Sequence, residues 1–501
     1  MKNIALAALA LALALAGPAL GAEVLRIGIG PEPETLDPHR GLTLGAGRVL
    51  QELCEGLLTR DASGHTVPGV AERWERSADG LVWTFHLRQE ARWWNGDRLV
   101  ADDFVRGWRR AVDPATASGI ADLLDGVDNA TAIRQGRLPP EQLGIQALDA
   151  DRVQVRLARP LADFDMVLAH RITLPIHGPT LARAADGFAA MDQLVCNGPY
   201  RLAGHRLHSA YHLVRNDFYH RPAAMAAVEL VVSDGPEMEL NLFRTGALHA
   251  TSTLPGAMVG WARQEMPENL HIHPWTLLTY LRASPNGPVW QENPAFLEAL
   301  ALALDREQLT APSQGRAVPA LGLVPPGLWR EEVAGMVQES AASRQQAARA
   351  ALARAGYGPN RSPPKVEILH ATTEPVRQRV VAIAAQWKQV LGVETDLVGQ
   401  ESRIVAQRDS NGDFSGFVLN AWVSYAPSYA LAPFVPPDMA MPADEAGLRA
   451  LERKILDSHR IIPISFGSSQ RLISPTLRGW RDNVYDIHPV SRLSLARDGS
   501  R

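Results

Sequence analysis

The stretch GVAERWERSADGLVWTFHLRQEARWWNGDRLVADDFVRGWRR, residues 69–110, decides the fold of this chain. Trp83, Phe85 and Leu87 alternate with Thr84, His86 and Arg88, the two-residue period of a half-buried strand. Asn95-Gly96-Asp97 is a turn cluster. Ala101-Asp102-Asp103-Phe104 then places acids at a helix start, where the backbone dipole favours negative charge. Phe104, Val105 and Trp108 fall on one face of that helix, and Asp113-Pro114 ends it, because a residue before proline is pushed out of the helical region.

Outward from this block, the other elements read from the same two periods. Leu25–Ile29 and Val228–Val232 are strands, and 46–58 reads as a helix. Gln146–Leu157 alternates as a strand, and residues 196–216 read as a turn and hairpin. Helices are expected over Phe296–Leu304, Ala341–Ala355 and Val376–Leu391, the last two stopped by Gly356 and Gly392 as left-handed caps. The strands Val366–Leu369 and Val393–Val398 flank the last of these, a βαβ succession that suggests a parallel sheet. No internal repeat is evident.

The chain begins MKNIALAALALALALAGPALGA. Lys2, the apolar run Ile4–Ala16, the break at Gly17-Pro18 and the small residues Ala19, Gly21 and Ala22 have the order of a secretory signal peptide, cleaved near Gly21 or Ala22. The run is shorter than the ~18 apolar residues a spanning helix needs. No cysteine follows it, so a lipid anchor is not indicated. These features point to an exported, periplasmic protein with room for several domains. The net charge of −4 is spread along the chain without a basic block, which argues against nucleic acid as a partner. Two cysteines in an exported chain, Cys54 and Cys196, leave open a disulfide or two buried thiols, since geometry decides.

Beyond these readings, residues 69–110 resemble the signature region of the oligopeptide/dipeptide-binding proteins of ABC importers (bacterial extracellular solute-binding protein family 5). LDPH (36–39), LCEGL (53–57), CNGPY (196–200), NDFY (216–219), ALALDRE (301–307), AARAALARAGY (347–357) and IIPISF (461–466) stand in that family's order. The resemblance implies an α/β, periplasmic-binding-protein-like two-lobe clamp with an additional inserted domain. It places a discontinuous lobe-I domain at 23–53, 176–280 and 470–501, the inserted domain at 54–175 and an α/β lobe II at 281–469. A ligand is enclosed where the lobes meet, as hinge closure and interdomain cavities allow.

No catalytic set can be assembled: G-x-S-x-G, H-E-x-x-H, C-x-x-C and phosphate-loop motifs are absent, and Asp102 and Asp103 point ~100° apart on a helix. His208 and His212, read as strand residues, would lie about 13 Å apart, too far for one ion held at ~2.1 Å. His271 and His273 have no third ligand nearby in sequence. Neither a metal nor a cofactor is expected, and the chain is read as a non-enzyme. The resemblance implies that Gly41, Leu42 and Thr43 line one edge of the cleft and Asn420, Ala421, Trp422, Val423, Ser424 and Tyr425 the other, holding an extended peptide by main-chain hydrogen bonds.

Peptide binders of this type often carry an acid shortly after that Trp, for the ligand's ammonium, and an Arg three residues before it. Here Ala426-Pro427 and Leu419 occupy those places, and 427–447 is shorter than expected, with 436–447 in place of a helical region. A buried ammonium without a counter-charge costs several kcal/mol. The expectations are therefore peptide or peptide-like ligands delivered by a monomer to an inner-membrane ABC permease. The alternatives are a blocked or non-peptide ligand, or a non-transporting sensor or scaffold. Tyr280, Trp290, Trp422, Tyr425 and Tyr429 would suit an apolar ligand, and Arg282, Arg403 and Arg408 are candidate replacement charges.

Overall fold

The computed structural model describes residues 24–184, 187–191, 193–330, 339–436 and 439–496. The expected signal peptide lies outside them. No helix among the described residues is long and apolar enough to cross a membrane.

The opening block folds as its periodicity dictates. Val82–Leu87 is a strand whose alternate residues Trp83, Phe85 and Leu87 are buried. It sits inside an antiparallel sheet ordered Ala71–Arg76, Val82–Leu87, Arg152–Arg156, Ile145–Asp149. The helix Ala101–Val112 packs Phe104 and Trp108, both fully buried, against this sheet. Each such side chain contributes roughly 1.5–3 kcal/mol by leaving water. Asp103 caps the helix start: its Oδ2 accepts from Val100 N–H (3.0 Å) and from the Trp93 indole (3.1 Å). Asp102 is exposed.

A second sheet is ordered Leu25–Gly30, Ala227–Val232, Ala210–Arg215, Tyr200–Arg206; its first pair is parallel and the rest antiparallel. The helix Leu44–Leu53 buries Val49, Leu50 and Leu53 in the core beneath it. The third sheet has six strands, ordered Ala317–Pro319, Ile461–Leu472, Leu270–Ala283, Phe417–Val423, Val366–Ala371, Thr395–Gln400. Two of its strands are unusually long. Leu270–Ala283 spans roughly 46 Å at ~3.3 Å per residue. Its start packs with Leu472 in one core, and Leu281 near its end packs with Ile462 and Phe417 in another. The pairing of these two strands breaks register between Pro274 and Leu278, where a proline cannot donate to the ladder.

Several expectations are corrected. The helix read over 46–58 ends at Leu53, because Cys54 is already extended and Leu58–Arg60 is a strand. Gln146–Leu157 is a hairpin rather than one strand, turning at Ala150-Asp151. The βαβ unit is real, with Val366–Ala371 and Thr395–Gln400 parallel across the helix Glu374–Leu391. The sheet as a whole is mixed, because the long strands pair antiparallel. His208 is a left-handed turn residue, not a strand residue. A helix does occupy part of the segment read as non-helical, starting at Glu445.

Candidate functional site

The family-like motifs converge first on the ends of the helix Leu44–Leu53. Asn197 brackets Glu55: its Oδ1 accepts from Glu55 N–H (3.1 Å) and its Nδ2 donates to Glu55 C=O (2.9 Å). Gly198 lies so close that a Cβ there would sit 2.6 Å from the Leu53 carbonyl, and its N–H donates to that carbonyl. Asn216 Nδ2 donates to Gly198 C=O (2.8 Å), and Tyr219 Oη donates to Glu55 Oε1 (2.5 Å). Cys54 and Cys196 are joined as a disulfide, with Cα atoms 5.0 Å apart. Asp37 of LDPH takes both terminal nitrogens of Arg110 (3.0 and 2.6 Å), tying the chain after the first strand to the helix Ala101–Val112.

One face of Leu44–Leu53 and the residues just after it line a cavity of about 170 Å³: Leu44, Gly47, Arg48, Gln51, Glu52 and Glu55, at helical spacing. Ala169, His170 and Arg171 form a second wall, Tyr485 to His488 a third. Trp275, Thr276, Val423 and Tyr425 face them from the six-stranded sheet, Trp275 and Thr276 lying at the register break. The cavity therefore lies between the helix Leu44–Leu53 with its sheet and the six-stranded sheet.

Its walls are charged. Asp486 receives Arg471 through two bonds (2.8 and 2.5 Å) and Arg48 at 3.3 Å, and these cations hold its carboxyl far below the usual range despite burial. Glu52 is 1 % exposed. Its Oε1 accepts from Val490 N–H (2.9 Å) and Gln51, but its Oε2 has no partner, and burial pushes its pKa up to about 7. Glu55 is also pushed up by burial, against the opposing pull of Arg221 at 2.7 Å. His170 is held well below its ordinary value by burial and by Arg171 and Arg60, so it is neutral.

The residues expected to line the cleft separate into groups. Gly41 is buried; its carbonyl accepts from Arg171 Nε (3.2 Å) and Nη2 (2.6 Å). Leu42 and Thr43 are exposed, and Glu34 holds both of their N–H groups and the Thr43 hydroxyl. Asn420 donates to Asp409 Oδ2 (2.7 Å), and Ala421 is exposed. Trp422 donates its indole N–H to Tyr429 C=O (3.2 Å) and lies 5.0 Å from the Tyr429 ring. Val423 and Tyr425 line the cavity; Ser424 is buried, with its N–H and hydroxyl on Thr276 C=O.

Tyr280 does not belong with them. It is 4 % exposed and packs edge-on against Phe434, because its strand position points it into the core under Leu278 and Phe466. Trp290 packs against Phe296 in another core. Of the candidate replacement charges, Arg282 is taken by Asp409, Arg408 lies on Asp413, and Arg403 is exposed. The cavity arginines Arg48, Arg171 and Arg471, and Glu52, escaped sequence reading. Arg48 and Glu52 stand one helical turn apart, which is a local signal; Arg171 meets Gly41 across 130 residues, for which sequence carries none. No group of three or more His, Cys, Asp or Glu among the described residues could hold a metal ion.

Comparison with known proteins agrees with this architecture. Residues 65–437 match the family "Bacterial extracellular solute-binding proteins, family 5 Middle". The chain is 29 % identical over 500 residues to the periplasmic oligopeptide-binding protein OppA of Escherichia coli (strain K12), covering 91 % of this chain and 90 % of that one. It superposes on the unliganded open form of the murein tripeptide-binding protein MppA with a TM-score of 0.82 at 26 % identity, covering 94 % and 97 % of the two chains. Haemophilus influenzae OppA in complex with the peptide RPPGFSPFR gives 0.71 at 25 % identity, covering 94 % and 99 %. With the family match spanning most of its length and the two-sided cavity in place, the chain belongs to the bacterial extracellular solute-binding proteins, family 5.

Proposed function

We propose that this chain is a periplasmic binding protein that encloses a peptide or peptide-like ligand between two lobes and delivers it to an inner-membrane ABC permease, without chemistry. The observation that carries this reading is the cavity bounded on one side by the helix Leu44–Leu53 and on the other by Val423 and Tyr425, with two long strands running past it. Closure selects ligands that bind the closed state better than the open one. The domains are 23–53, 176–280 and 470–501 for lobe I, 54–175 for the insertion and 281–469 for lobe II, preceded by a signal peptide at 1–22, and the protein acts as a monomer. Gly41, Leu42, Thr43, Asn420, Ala421, Trp422, Val423, Ser424 and Tyr425 contribute the ligand edges.

A second reading, a terminally blocked or non-peptide ligand, draws on one observation. Residues 420–427 carry no acid, and the nearby Asp409 is already held by Arg282 and Asn420. Native mass spectrometry of the protein purified from its own periplasm, followed by denaturing release, tests both. Released peptides with free termini support the first reading, a blocked or non-peptide species the second. An empty protein that shows no thermal shift with a peptide library removes the transport role.

A further inference from the structure

Arg171 lines the cavity together with Val423 and Tyr425, and among the described residues no carboxylate is hydrogen-bonded to it. Its Nε and Nη2 both donate to the Gly41 carbonyl, so the ion is anchored to a neutral acceptor on one edge. Tyr425 of the other edge lines the same cavity. Among the described residues no acid forms an ion pair with it. Glu34, whose charge acts on Arg171, is committed to Leu42 N–H, Thr43 N–H and the Thr43 hydroxyl. A half-buried guanidinium bonded only to a neutral carbonyl makes its strongest bonds to a planar carboxylate.

The rest of the cavity has the same sign. Arg48 and Arg471 share the single carboxylate of Asp486. Of the other acids on the walls, Glu55 is occupied by Arg221 and Tyr219, and Glu52 is a weak acid at neutral pH because it is buried. His170 and His488 are both held below their ordinary values by burial and add no firm charge. Three guanidiniums therefore line the cavity, and Asp486, the carboxylate that two of them share, is also met by His488 at 3.3 Å.

We propose that Arg171 is the anchor for a carboxylate of the ligand, so that this protein selects peptide-like molecules through an anionic group rather than through an ammonium. The proposal rests on the reading of the chain as a binder of peptide-like ligands. It accounts for the neutral segment 420–427: selectivity has moved from an acid on that edge to a base beside the opposite one. The carboxylate comes from a peptide C-terminus or from an acidic side chain, which share this chemistry.

The test uses the full mature chain and three tripeptide libraries: free C-termini, amidated C-termini without Asp or Glu, and amidated C-termini with Asp or Glu. Retention is read by mass spectrometry and by titration of the retained species. Wild type is expected to retain carboxylate-bearing peptides about tenfold or more over amidated, acid-free ones, the scale of a charge-assisted hydrogen-bond pair. Retention of the third library as well as the first assigns a side-chain carboxylate; retention of the first alone assigns the terminus. Arg171→Gln, which can still donate to Gly41, is expected to lose that preference, and Arg171→Lys, which keeps the charge, to retain part of it. Equal losses for all three libraries in R171Q would show that Arg171 only holds the Gly41 loop and would overturn the proposal. No preference in wild type would overturn it while leaving peptide binding intact. No retention of any library by wild type would instead remove the peptide-binding reading on which it stands.

Discussion

Two buried carboxylates of opposite behaviour show how single residues act here. Asp37 is 2 % exposed and bridged to Arg110; that hydrogen-bonded partner outweighs burial and holds its pKa below the ordinary value. Its stabilising effect is therefore full above the unfolded carboxyl's pKa and lost as pH falls through the lowered folded value. Asp37→Ala leaves Arg110 without its acid and the buried His39 N–H without its acceptor, and the expected loss is about 3–5 kcal/mol, measured by urea unfolding at pH 7. Glu52 works the other way. Its folded pKa of about 7 lies above the ordinary carboxyl value of 4.5, so ionisation opposes folding increasingly from pH 4.5 to 7 and fully above. Glu52→Gln keeps an acceptor for Val490 N–H and removes the charge. It is expected to raise stability at pH 8 by on the order of 3 kcal/mol and hardly at all at pH 5. Equal effects at the two pH values would rule this account out. Sequence placed Asp37 in a motif and Glu52 on a helix, but not the partners that each meets. Those partners lie 73 residues from Asp37, for Arg110, and 438 from Glu52, for Val490 N–H.

At the scale of elements, the helix Leu44–Leu53 is organised by what clamps its end. The Asn197 bracket, the Gly198 approach and the Cys54–Cys196 bridge all act within a few residues. The bridge closes a sequence separation of 142 residues, so its loss releases much chain entropy in the unfolded state. Replacing both cysteines with serine is expected to lower stability by about 2–4 kcal/mol in denaturant unfolding. The ligand preference should remain, because Asn197 still holds Glu55 in place. Elements with a clear period and firm stop signals were legible: Val82–Leu87, Ala101–Val112 and Glu374–Leu391 lie within a few residues of where sequence placed them. The two long strands were not, since Trp275 to Leu277 interrupt pairing and the strand Ile461–Leu472 contains Pro463, which sequence rules disfavour in a central strand. A second register shift, between Thr279 and Tyr280, accommodates that proline.

Across the whole molecule, the segment after Trp422 reaches over to the sheet-and-helix unit formed by residues 57–172. Ala426 is fully buried in that unit's core. Asp163, 2 % exposed, accepts from Ser428 N–H (2.6 Å) and Oγ (2.7 Å). The Tyr429 hydroxyl donates to Asp122 (2.8 Å), and Arg330 pairs with Asp165 at 2.6 Å. These bonds tie the segment after Trp422, and Arg330, to that unit. Asp163→Ala strands two buried donors at a cost of about 1–3 kcal/mol. Distances between spin labels, one on each lobe, are expected to broaden in the ligand-free variant relative to wild type; an unchanged distribution would show that the long strands alone set the arrangement.

The sequence by itself determined what local chemistry controls: the strand and helix of residues 69–110, the glycine caps at Gly356 and Gly392, and, through ordered motifs, the family. Tertiary structure alone decided which charges are paired. Tyr280 went into a core, Arg282 went to Asp409, and Arg171 went to the Gly41 carbonyl. The reason is physical: periodicity reports which side of an element is apolar, whereas the energy of a buried charge depends on neighbours brought together from distant parts of the chain.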